Sequence, residues 1–292
     1  MEEGFEFACD GDHLTGRLFR PAQKPLAAIV TTGPLTSVKE QASGAYARAL
    51  AERGFAALAF DHRYFGESAG APRQFENPTA KIADIRAAVA ALRTHASTST
   101  LPIAAVGVCA GAGYMARAVA EEPSFFAFAG VAGYYARLTP ETLRSGKARI
   151  DRGREAERIW RETGVAETIP AVAAEGGDIA MPLREAYEYY GTPRGAVANY
   201  TNAFAVQSLA CTTPFDALGA APAITAPTLI IHSENALAPA LARAFLAALQ
   251  TPHEDLWIES TGQIDFYDDP LIISRAADRI EEFFKSALGS DR

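Results

Sequence analysis

The residues with the clearest chemical potential lie in Gly107-Val108-Cys109-Ala110-Gly111, an apolar run that breaks into Gly-x-Cys-x-Gly and then turns helical. This spacing has the form of a nucleophile elbow with Cys in place of the more familiar Ser. A nucleophile held at a sharp strand-to-helix turn occupies strained backbone, so the residues two positions away must lack a Cβ that would clash. The first turn of a helix also places a thiol near the positive end of the helix dipole, which favours thiolate. A buried structural Cys in a Gly-rich junction is the alternative that the five residues leave open.

The other titratable groups are weighed by where the βα pattern puts them. His62 follows Asp61 in a turn and reads as structural. His13, His95 and His253 fall in a hairpin, at a helix end and before the last strand, away from the elbow. His232 closes the run Thr228–His232 at the sheet edge expected to carry chemistry, where it is either a core histidine or a displaced base. Cys9, Cys109 and Cys211 are odd in number and widely spaced, which indicates neither a disulfide framework nor a metal pattern. No cofactor and no metal is implied.

Positioning such a group needs a scaffold, and the chain supplies one. Gly4–Cys9 and Leu14–Phe19 alternate around Asp10-Gly11-Asp12 as a hairpin. Ala27–Thr32, Ala56–Asp61, Ile103–Val108 and Phe125–Val131 are apolar runs suited to buried parallel strands. Helices are expected through Tyr46–Arg53, over Thr79–His95 and over Ala110–Ala120. Thr139–Thr163 and Arg184–Tyr190 read as helical within some eighty residues that lack a clear buried strand. The βα rhythm then resumes with Thr228–His232, a helix over Pro239–Leu249, a strand over Asp255–Glu259 and a closing helix from Pro270 to Leu288. The predicted fold class is therefore α/β, a mostly parallel sheet flanked by helices. Residues 1–133 and 214–292 form its core and residues 134–213 an inserted helical lid at the carboxyl edge, where open α/β sheets place ligands.

The 292 residues are 49% hydrophobic and 21% charged, ordinary for a well-buried core, and the net charge is −8. That charge, with no concentrated basic face, argues against a nucleic-acid partner. The basic residues between Arg144 and Arg161 are interleaved with acids and read as a solvated helix with i,i+4 pairs. No run approaches a membrane span and the N-terminus has no apolar leader, so the expectation is a cytoplasmic protein without membrane contact.

With its elbow after the third buried strand and its helical block after the fourth, the chain resembles the α/β-hydrolase fold over nearly its whole length. The Cys elbow resembles the dienelactone-hydrolase-like branch. Pro34–Gln41, Phe60–Ser68 and Asp265-Phe266-Tyr267-Asp268 resemble a subgroup that includes polyketide-processing thiohydrolases and acyl transferases. The resemblance implies acyl transfer through Cys109 on a small acyl substrate, free or carrier-bound. It also implies an oxyanion hole built from the N–H groups of Ala110 and Leu35, Pro34 having none to offer. The expected histidine is missing, because Gln263 stands at its position and a glutamine cannot act as general base. Glu234 is the one carboxylate in the acid loop Ser233-Glu234-Asn235-Ala236, and Asp265 is a replacement acid or base, or else a loop-fixing residue. Tyr134, Tyr135, Tyr190 and Phe204 are the expected substrate-facing aromatics, or else they pack the lid against the sheet. Without a base, deacylation by water should be slow. Transfer, cyclisation, isomerisation or C–C cleavage, and simple binding on a hydrolase scaffold, all stay open, and the sequence permits a homodimer.

Overall fold

The computed structural model describes residues 1–290. The alternating N-terminal residues form the hairpin β1 (Glu2–Cys9) and β2 (Asp12–Phe19), turned at Asp10 and Gly11, both with positive φ. Then follow β3 (Ala28–Thr32), α1 (Ala42–Glu52), β4 (Ala56–Phe60), α2 (Pro78–Thr94), β5 (Ile103–Val108), α3 (Ala110–Glu121) and β6 (Phe125–Val131). Every residue of β3, β4 and β5 is buried, as strands covered by helices on both faces must be.

The stretch after β6 holds α4 (Pro140–Ser145), α5 (Lys147–Thr163), β7 (Thr168–Ile169), α6 (Arg184–Tyr190), β8 (Phe204–Ala205) and α7 (Ser208–Thr212). A 3₁₀ turn (Leu218–Ala223) leads to β9 (Thr228–His232), α8 (Pro239–Ala248), β10 (His253–Trp257), α9 (Asp265–Asp268) and α10 (Pro270–Ser290). The long helix expected over Thr139–Thr163 divides at Gly146, whose missing side chain makes room for Thr213. The ion pairs expected there form along α5, among them Arg158 with Glu155 and Glu162. The pairing of β7 with β8 has no counterpart in the sequence reading, since two-residue strands carry no measurable period. The last strand lies two residues upstream of the expected one, because half-exposed edge residues alternate ambiguously.

The eight-stranded sheet runs β1-β2-β4-β3-β5-β6-β9-β10, antiparallel at β1 and β2 and parallel elsewhere. This is the α/β-hydrolase arrangement. From β3 the chain moves outward to β4, returns to β5 beside β3, and then moves the other way through β6 to β9. The order therefore reverses between β3 and β5, and the crevice at their carboxyl ends is the topological switch point where such sheets bind ligands. Among the described residues no helix is long and apolar enough to cross a membrane.

Candidate active site

Cys109 sits at that crevice, between the end of β5 and the start of α3, with φ 55° and ψ −124°. A non-glycine residue there is strained by about 1–3 kcal/mol and must be held from several sides. Cys109 N–H donates to Val131 O (3.0 Å), and Cys109 O accepts from Ala112 N–H (3.0 Å) and Tyr134 N–H (2.9 Å). The flanking glycines are sterically required. A Cβ on Gly107 would lie 2.5 Å from Ala112 Cα, and one on Gly111 would lie 2.4 Å from Gly33 O.

Three groups meet the buried Cys109 sulfur. The Tyr267 phenol, the Ala110 N–H and the Gln263 amide each stabilise the thiolate form, and Glu185 opposes it. Burial outweighs all of them, so the thiol pKa lies above its ordinary value. The thiolate expected from the helix terminus is thus not the resting form, because the dipole is too small to offset desolvation. Tyr267 is itself pushed well above the usual phenol range by burial, with the Cys109 charge adding to the effect.

Gln263 is locked in place. Its Oε1 accepts from Leu237 N–H (2.9 Å), and its Nε2 donates to Ala132 O (2.8 Å) and Tyr267 OH (3.4 Å). Its backbone N–H donates to Glu185 Oε2 (2.9 Å), so α6 is tied to the loop after β10. On the other side of the crevice lies the turn after β3. Thr36 N–H donates to Glu76 Oε2 (3.0 Å) and Ser37 N–H to Pro34 O (3.2 Å). Among the described residues, the Leu35 N–H is left without a partner in this turn. Glu76 is fully buried; its Oε1 accepts from Tyr114 OH (2.8 Å) and pairs with Lys81 Nζ (2.7 Å), and its own N–H donates to Ser208 Oγ (2.9 Å). The carboxylate thus connects the turn to α2 and α3, and the Glu76 backbone adds α7.

A cavity of about 580 Å³ opens above the sulfur. Cys109, Ala110, Leu35, Gln263 and Tyr267 line it, as do the predicted Tyr134, Tyr190 and Phe204. Four predicted residues stand elsewhere. Glu234 is solvent-exposed and ion-paired with Arg243, since its loop turns outward beyond the strand end. His232 is fully buried in the sheet beside Trp257, its Nδ1 against Ser233 O (2.9 Å) and its pKa lowered by burial, so it is a core histidine. Asp265 accepts from Thr261 N–H (2.6 Å) and Oγ1–H (2.8 Å) and fastens its own loop. Tyr135 stacks on Phe245 with centroids 4.0 Å apart and packs the core.

The sequence reading missed Tyr267, Glu185, Glu76 and Tyr114. The four-residue spacing of Gln263 and Tyr267 is a signal that could have found the first, because it sets both on one side of a helical turn. Nothing local marks the other three, whose partners are distant in sequence.

The serine aminopeptidase S33 family matches residues 24–174, about half of the chain and including the elbow. The uncharacterized Escherichia coli (strain K12) protein YcjY is 30% identical over 271 residues, covering 89% of each chain. Protein PA2218 of Pseudomonas aeruginosa is 32% identical over 280 residues, covering 90% of this chain and 73% of its own. Its crystal structure superposes with a TM-score of 0.83 at 28% identity, over 98% of this chain and 94% of that one. A structure of DcsB in complex with its substrate analogue gives a TM-score of 0.86 at 19% identity, over 99% of this chain and all of that one, a likeness of fold. The family's description names a serine enzyme, whereas this chain carries Cys109 at its elbow. The chain belongs to the serine aminopeptidase S33 family of α/β-hydrolases.

Proposed function

We propose that the protein is a cysteine acyl transferase or hydrolase whose preferred substrates are thioesters, with esters and lactones as slower ones. The observation that carries this reading is Cys109 at a strained elbow on the cavity floor, with the unpaired Leu35 N–H and the Ala110 N–H available for a developing oxyanion. Among the described residues no His lines the cavity, and its one carboxylate, on Glu185, is engaged by the N–H groups of Gln263 and Ile264.

A protonated thiol with no base restricts the chemistry. The Cys109 thiolate adds to the thioester carbonyl, the tetrahedral oxyanion collapses with loss of the leaving thiolate, and that sulfur takes up the proton Cys109 gave up. No net proton is gained or lost, so the exchange can run through the minor thiolate without a dedicated base and quickens as pH rises. Release to water needs a base that the site lacks, which favours passing the acyl group to a thiol or an amine, or to a hydroxyl of the substrate itself held against the acyl carbon. The aromatic wall formed by Tyr134, Tyr190, Phe204 and Tyr267 suits a planar or polyketide-like acyl group.

Incubation with a panel of aryl esters and short acyl thioesters, followed by intact-mass measurement, tests the reading. The expected result is a gain of one acyl group per chain that is lost in Cys109→Ala. Turnover retained in Cys109→Ala would instead assign non-acyl chemistry on the same scaffold. Absence of any adduct across the panel would leave a binding role.

A further inference from the structure

The cavity lining mixes apolar, aromatic and charged residues. Besides Cys109 and the aromatic residues, its lining includes the α4–α5 segment and the end of α7. Thr142, Gly146 and Thr213 come together there, since a Cβ on Gly146 would meet Thr213 Cγ2 and Thr142 O. Arg137 joins them through its carbonyl, which accepts from Thr142 Oγ1 (3.5 Å), and Arg149 is part of the same lining.

The charges of this cavity are unevenly committed. Its lining holds three charged side chains, Arg137, Arg149 and Glu185. Glu185 is occupied by two backbone N–H groups. Among the described residues neither guanidinium has an ion pair or hydrogen bond, and the Thr213 hydroxyl is likewise unengaged. Arg152, Arg158, Arg161 and Arg194 are ion-paired, whereas among the described residues Arg144 on α4 and Arg154 on α5 are as free as Arg137 and Arg149, so what sets the last two apart is their place in the cavity lining. Two free, exposed guanidiniums and a free hydroxyl on the rim of the cavity that holds Cys109 therefore form a polar subsite of positive charge.

We infer that this subsite receives an anionic group of the substrate, a carboxylate or phosphate separated from the reacting carbonyl by an apolar spacer. The inference rests on the reading of the cavity as an acyl site. Planar guanidiniums match such anions by bidentate hydrogen bonding, and because both side chains are exposed the attraction is sensitive to salt. The anion could belong to the acyl group or to the leaving thiol.

Binding of unreactive probes to the full chain by calorimetry at low ionic strength separates these sources without requiring turnover. Heptan-2-one is the neutral probe, 6-oxoheptanoate carries a carboxylate on the same carbon chain, and coenzyme A carries phosphates on a thiol. At least one anionic probe is expected to bind about tenfold or more tightly than heptan-2-one. That advantage should shrink with added salt and collapse in Arg137→Ala/Arg149→Ala. Arg149→Lys, which keeps the charge and controls for misfolding, should recover part of it. The probe that shows the advantage assigns the source of the anion. Equal binding of all three probes, or an advantage that survives the double substitution, would overturn the inference. The acyl-enzyme reading is judged separately by the Cys109 mass adduct, so the two can fail independently.

Discussion

At the scale of single residues, the chemistry proposed for the site depends on one thiol and the groups that crowd it. Burial raises the Cys109 pKa, so the neutral thiol dominates at pH 7 and the nucleophilic thiolate grows as pH rises. Iodoacetamide should therefore alkylate Cys109 more slowly than free cysteine at neutral pH. Its rate should still be climbing above pH 9.0, the ordinary thiol value; a plateau below that value would contradict the burial argument. Gln263 occupies a polar slot beside the Cys109 sulfur, where an imidazole can donate one ring N–H to the Ala132 carbonyl and turn its other, unprotonated nitrogen to the thiol in place of the Gln263 amide. Gln263→His is expected to raise the steady-state hydrolysis of an aryl ester about tenfold or more, because general-base assistance is commonly worth 10²–10⁴. A release assay of the alcohol product reads this directly.

At the scale of elements, the turn after β3 owes its shape to a carboxylate that belongs to neither the turn nor the strand. Glu76 accepts the Thr36 N–H, at a residue held with φ 61°, while Tyr114 and Lys81 hold its other oxygen. Loss of the Tyr114 hydroxyl should loosen the turn that presents the Leu35 N–H. Tyr114→Phe is expected to cost about 1.5–3 kcal/mol in thermal or denaturant unfolding, the range for a hydrogen bond to a charged group. It should also slow acylation by a thioester while leaving alkylation by iodoacetamide nearly untouched, because displacement at iodoacetamide builds no oxyanion. An equal loss in both reactions would mean that Tyr114 only packs. Glu76→Gln strands Lys81 in the interior and should be the more severe change, about 3–5 kcal/mol of stability.

At the scale of the whole molecule, stability carries a pH dependence set by buried histidines. His62, beside Asp84, and His232, inside the sheet, both have pKa values lowered by burial from an ordinary 6.5. Below pH 6.5 the unfolded chain binds protons that the folded chain refuses, so stability is full above that pH and is lost as pH falls through and below it. Thermal melts taken from about pH 8 down to about pH 5 should show a falling midpoint. His232→Gln should flatten the slope, and an unchanged slope would remove His232 from the account.

Much of this protein can be read from its residues without a structure. The eight sheet strands, the helices between them and the elbow at Cys109 follow from local apolar runs and glycine spacing, which act within a few residues of themselves. The absence of His at Gln263 is equally a property of the sequence. Local pattern could not decide which polar groups reach the sulfur, because a βα repeat specifies which sheet edge a loop occupies and not which way its side chains turn. Glu234 and Gln263 lie on loops after neighbouring strands, yet one faces solvent and the other is locked against Ala132. Tertiary packing also decided the state of the thiol. The helix terminus favours thiolate, but the surrounding phenol, amide and aromatic wall exclude water, and that desolvation prevails.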